Sequence, residues 1–175
     1  MTDITDYVHR QIAQFDNACQ TAKPSMVAYL ADYFAKIDRS QVDTLWVEYN
    51  DDLDLFIFWL DKTGKTLNRG LAGMIPKEHY PTGNFSLDEI EDELYDFDLD
   101  DDEVMEYYDD ISDNIHNRFE TWFIDCWKQA NQNNAQPLPA YFSEHDSITK
   151  YDLVNHTKKA LNNLEKKHGW TCLFE

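Results

Sequence analysis

Apolar residues recur every three or four positions along two long parts of the chain, and they crowd together in a short part between them. Ile4, Val8, Ile12 (or Gln11), Phe15 and Cys19 predict an amphipathic helix over about 3–21. Pro24 suits the first turn of a helix, so Val27, Leu30, Phe34 and Ile37 predict a second one and, with the first, an αα-hairpin. Positions 44–49 (Thr-Leu-Trp-Val-Glu-Tyr) are β-rich, Asn50, Asp51 and Asp52 supply turn chemistry, and 53–60 are apolar at nearly every position, as in a strand covered on both faces. Gly64 marks a tight turn, and a third strand is expected over 66–75, bent by Gly70 and Gly73.

A loop over 76–84 leads to a helix start at Ser86, with Glu89 three residues on and Phe85 placed to pack on Ile90. That helix should end near Tyr95, and 96–102 should repel itself into an exposed loop. From about Glu103, the stripe Val104, Tyr108, Ile111, Ile115, Phe119, Trp122 and Cys126 predicts a long central helix ending near Ala130. A polar linker over 131–139 precedes a short strand and turn at 140–146, then a last helix to His168 with Gly169 as its cap. Residues 170–174 read as a final edge strand. The expected fold is α+β in one globular domain, 1–175. A helical hairpin and a two- to three-stranded antiparallel meander would come first, then a long central helix and a C-terminal helix in one layer against the sheet.

Charge changes this picture in one place. Acidic residues number 34 against 15 basic ones, for a net charge of -19, and fifteen of the acids lie between Leu87 and Asp113 with no Lys or Arg among them. Aromatic content of 14% argues for a folded chain rather than a disordered acidic one. Such a balance repels nucleic acid and anionic lipid and attracts cationic protein. The N-terminus lacks the pattern of a signal peptide, no apolar run is long enough to span a bilayer, and Cys19, Cys126 and Cys172 form no disulfide framework. Together these predict a cytoplasmic protein.

Candidate chemistry is sparse. Asp96, Asp98, Asp100 and Asp102 imitate a calcium loop, yet a loop begun at Asp96 or Asp98 lacks the sixth-position Gly and the twelfth-position Glu. His9, His116 and His156 have no ligand spacing, the five glycines are scattered, and Cys126 sits in a packing stripe. Neither a metal nor a cofactor is expected. Glu144, His145 and Asp146 form the most enzyme-like cluster, since a His between acids can act as a base. The plainer reading is a turn whose Asp146 and Ser147 bond to local backbone.

The acidic segment offers two readings. It is a solvated face, or it is an interface in which Tyr95, Phe97 and Tyr107 supply contact area among Asp96, Asp98, Asp100, Asp101, Asp102, Glu103, Glu106, Asp109 and Asp110. With this acidic patch from Glu91 to Asp113, the chain resembles the small acidic immunity proteins of bacterial toxin–immunity systems, contact-dependent inhibition included. The stretch from 122–127 (Trp-Phe-Ile-Asp-Cys-Trp) to 140–146 (Ala-Tyr-Phe-Ser-Glu-His-Asp) is similar to uncharacterised bacterial families of that kind. The resemblance implies a non-enzymatic protein that covers the active site of a basic toxin, commonly a nuclease, without binding nucleic acid or membrane itself. A DNA-mimic inhibitor and an enzyme built on Glu144, His145 and Asp146 are the alternatives.

Overall fold

A computed structural model describes residues 3–68, 73–81 and 86–170. Helix α1 runs Ile4–Lys36 as one rod of 33 residues, capped by Asp3, whose Oδ1 accepts from the Thr5 N–H at 2.9 Å. The expected hairpin is therefore one helix with Pro24 inside it. Buried Phe15, Cys19, Ala22, Met26 and Leu30 stay at spacings of three and four straight through the proline. Burial of that unbroken stripe outweighs the roughly 3 kcal/mol an interior proline costs.

Strands β1 (Thr44–Tyr49) and β2 (Leu55–Leu60) pair as an antiparallel hairpin, as the sequence suggests. The expected third strand reduces to isolated bridges at Thr66 and Met74, with 69–72 outside the described residues. Helix α2 (Leu87–Leu94) starts at Ser86 as expected, although the partner proposed for Ile90, Phe85, lies outside the described residues. Helix α3 (Asp101–Ala130) spans 30 residues and buries all the predicted stripe except Tyr108, which is half-buried, adding Phe123 and Trp127.

The C-terminal third departs furthest from expectation. Strands β3 (Ala140–Glu144), β4 (Thr149–Asp152) and β5 (Thr157–Ala160) precede a helix α4 of only eight residues, Leu161–His168. The sheet has five strands in the order β2-β1-β3-β4-β5, not two or three. It is mixed, because β1 and β3 run parallel, with Leu45 opposite Ala140 and Tyr49 opposite Glu144. Lys158 and Lys159 sit on edge strand β5, where charge discourages pairing with another chain. Gly169 takes the left-handed conformation expected of a C-terminal cap. Trp170 is buried and its side chain lies against Gly64, while the rest of the predicted last strand is outside the described residues.

Helices cover both faces of this sheet, rather than one. Leu45, Val47, Tyr49, Leu55, Ile57 and Phe142 join α1 and α3 in the main core. Trp46, Leu60 and Tyr141 point the other way and are covered by Leu164 of α4 and by Trp170. The indole of Trp122 ties α3 to α1 by donating to the Cys19 carbonyl at 2.9 Å, and Arg118–Asp16 and Lys23–Asp125 ion pairs bridge the same two helices. Cys19 and Cys126 are free and buried, and burial pushes both thiols up to about 12. Among the described residues no helix is long and apolar enough to cross a membrane.

Asp152 closes β4 by accepting from the N–H groups of Val154 and Asn155, at 3.1 and 2.9 Å, and from the Asn155 amide. Burial alone would raise its pKa, but these bonds and the Lys167 charge prevail and hold it below the usual carboxylate range. Because the folded value is the lower one, its stabilisation is full above the unfolded pKa near 3.9 and is lost as pH falls through the folded value. Asp152→Ala should therefore cost about 2 kcal/mol at pH 6 and progressively less below about pH 4. Urea midpoints of the two proteins measured from pH 6 to 2.5 check this.

Candidate functional site

The acidic segment is built on packed backbone. In α2, Ile90 and Leu94 lie one turn apart and are both buried, which turns Glu89 and Asp92 outward. Glu93 is the exception in role, since its Oε2 accepts from Tyr7 Oη at 2.9 Å and from Gln11 Nε2 at 3.3 Å, fastening α2 to α1. The link to α3 is a tight turn rather than a self-repelling loop. Asp96 N–H donates to Glu93 O, Phe97 N–H to Leu94 O, and Leu99 N–H to Phe97 O. Phe97 and Leu99 pack against the core, Phe97 meeting Tyr7 edge-on at 5.3 Å, so that Asp96 and Asp98 alternate with them and are exposed.

Asp100 then caps α3 two residues earlier than expected. Its Oδ1 accepts from the Glu103 N–H, and the Glu103 carboxylate accepts from the Asp100 N–H, both at 3.0 Å. Asp101, Asp102 and Glu103 occupy the first turn, where the helix dipole favours negative charge, which is why the helix reaches back so far. Glu106, Asp109, Asp110 and Asp113 are exposed further along the same helix. Among the described residues, no carboxylate from Glu89 to Asp113 takes part in an ion pair.

Of the aromatic side chains expected within this surface, Tyr95 is 52% exposed, whereas Phe97 and Tyr107 are half-buried against the core. Met105, 44% exposed on α3, stands beside the acids Asp101, Asp102 and Asp109 on neighbouring turns. The sequence signal for it was present, because Met105 falls off the stripe that includes Val104 and Tyr108.

A second polar cluster lies at the carboxyl ends of the parallel strands β1 and β3, on the face opposite α1 and α3. Pairing brings Glu48 opposite Ser143. Glu48 is 5% exposed and Lys150 of β4 only 2%. Lys150 Nζ donates to Glu48 Oε1 at 3.0 Å and to Ser143 Oγ at 2.7 Å, and it lies 4.6 Å from the Trp46 ring centre. Trp46 Nε1 donates to the same Oε1 at 2.8 Å. Glu48 Oε2 stands 3.1 Å from Nδ1 of His145, whose side chain is 65% exposed. The Glu48 hydrogen bond raises the His145 pKa.

Of the cluster Glu144, His145 and Asp146, only His145 joins this network. Glu144 Oε1 turns toward His116 at 3.9 Å, and Asp146 holds the turn with φ 60, a left-handed conformation that Asp tolerates. Glu48, Lys150 and Ser143 were not singled out from the sequence, as Glu48 and Lys150 lie 102 positions apart and meet only through the sheet. A cleft of about 350 Å³ opens beside them, lined by Glu48, Tyr49, Asn50, Phe56, Phe58 and His145. Asn50 belongs to the β1–β2 turn, where its Oδ1 accepts from the Asp54 N–H at 2.8 Å.

Compared with protein-family models, with curated proteins and with solved structures, the chain finds no match in any of the three.

Proposed function

We propose that the protein is a binding inhibitor whose α2–α3 face docks a basic protein, in the manner of the bacterial immunity proteins that its acidic segment resembles. One observation carries this reading. Among the described residues, the carboxylates from Glu89 to Asp113 have no internal cationic partner, so the fold maintains their mutual repulsion on two capped helices. A face of this kind steers a cationic surface toward itself and accelerates encounter. Tyr95 and Met105 supply the apolar contacts that slow dissociation. Asp96, Asp98, Asp101, Asp102, Glu106, Asp109 and Asp110 would occupy the lysines and arginines with which a nuclease toxin holds phosphate.

The test is the triple variant Asp100→Asn, Asp101→Asn, Asp102→Asn, assayed against a basic partner captured from the native lysate at low salt and released at high salt. Asn caps a helix about as well as Asp, so α3 keeps its start. Association at low salt should slow about tenfold and lose much of its salt dependence, with dissociation nearly unchanged. An unaltered association rate removes this face from the interface. Competition by plain duplex DNA for the partner would instead identify a DNA mimic.

A further inference from the structure

The cleft beside Glu48 and His145 is a site of a different kind. One wall is apolar: the half-buried rings of Phe56 and Phe58 lie parallel within 5°, with centres 6.2 Å apart. The other end is a polar network in which His145 presents its second ring nitrogen. Both oxygens of Glu48 are engaged, as Oε1 accepts from Trp46 and Lys150 and Oε2 accepts from His145. Lys150 is buried and committed to Glu48 and Ser143. With Nδ1 of His145 donating to Glu48, Nε2 is the ring's other hydrogen-bonding atom, and among the described residues it has Asp146 Oδ1 at 3.6 Å, beyond hydrogen-bond length.

We propose that this cleft binds a small aromatic carboxylate, with its ring on Phe56 and Phe58 and its carboxylate accepting from His145 Nε2. Asp146 shows that a carboxylate is accommodated beside Nε2, and at 92% side-chain exposure it can swing into solvent as a ligand arrives. The groups facing His145 decide the sign of the charge. Glu48 on β1 and Lys150 on β4 cancel, which leaves the imidazolium and the displaceable Asp146. Because Glu48 favours the protonated ring, Nε2 is a charged donor below the raised pKa and becomes an acceptor above it. A cleft of about 350 Å³ is at the small end of ligand sites.

Benzoate, benzamide and benzamidine share a shape and differ in charge, so they separate this proposal from simple hydrophobic binding. With the full chain at pH 6, benzoate should bind saturably with a Kd on the order of 1 mM, shifting the His145 and Trp46 ring resonances. Benzamide and benzamidine should bind at least about tenfold more weakly. Benzoate affinity should fall as pH rises through the His145 titration, and Asp146→Asn should strengthen it. His145→Ala, at a largely exposed position, should weaken benzoate about tenfold while leaving the melting temperature nearly unchanged. Equal binding of the three probes, no saturable benzoate binding, or affinity indifferent to pH in the unmodified protein would each overturn the proposal. The pH series holds even if the alanine variant folds poorly.

Discussion

Glu48→Gln should destabilise the protein by about 3–5 kcal/mol, although it changes neither the size nor the shape of the side chain. The substitution leaves the Lys150 ammonium, 2% exposed, with an amide oxygen, a hydroxyl and an indole face as its neighbours and no counter-charge. An uncompensated buried charge is among the few defects that a single point mutation can make this expensive. At 175 residues, the loss corresponds to a fall in melting temperature of roughly 10 °C. The double variant Glu48→Gln, Lys150→Met removes the orphaned charge as well and should recover most of the loss. Urea unfolding of the four proteins in the cycle measures the coupling directly. If Glu48→Gln falls within about 1 kcal/mol of the parent, water reaches Lys150 and the network is not buried in solution.

Leu94→Ala should cost about 2–5 kcal/mol and act on the acidic face more than on the rest of the molecule. Helix α2 has only eight residues, too few to be helical alone, and depends on Ile90, Leu94 and the bonds from Tyr7 and Gln11 to Glu93. Leu94 also accepts the Phe97 N–H that shapes the turn into α3. Loosening it should speed amide exchange in α2 and the turn while the middle of α3 remains protected. Under the docking role proposed for this face, the partner should then dissociate faster, because Tyr95 is no longer held in place. Uniform loss of protection throughout the chain would show that α2 unfolds only with the whole.

The sequence announced some of this fold and concealed the rest for identifiable reasons. The stripe from Val104 to Cys126 predicted α3 because one face of a long helix is buried along its length, leaving a 3.6-residue period. Ser86 and Gly169 were recognisable as caps because capping depends on local chemistry. Pro24 misled, since a local rule was opposed by burial on both sides of it, and the spacing from Cys19 to Met26 was the sign of continuity. Strands β4 and β5 were hidden because Thr-Lys-Tyr-Asp and Thr-Lys-Lys-Ala have no strand-like apolar pattern, and pairing alone makes them strands. Within the acidic face, charge and exposure were legible, but the inward packing of Phe97 and Tyr107 was not. Nothing local tells which aromatic side chain closes a turn.

The parallel contact between β1 and β3 governs how the chain must assemble. Those neighbours are separated by some ninety residues, so as the polypeptide leaves the ribosome β1 is complete long before its second partner exists. Until Ala140–Glu144 emerges, a strand rich in Trp, Val and Tyr has one unsatisfied ladder. Closing so long a connection is slow relative to helix formation, and α1 meets α3 only within the same interval. Synthesis stalled before residue 140 should therefore yield aggregating, protease-sensitive fragments rather than a soluble half-protein.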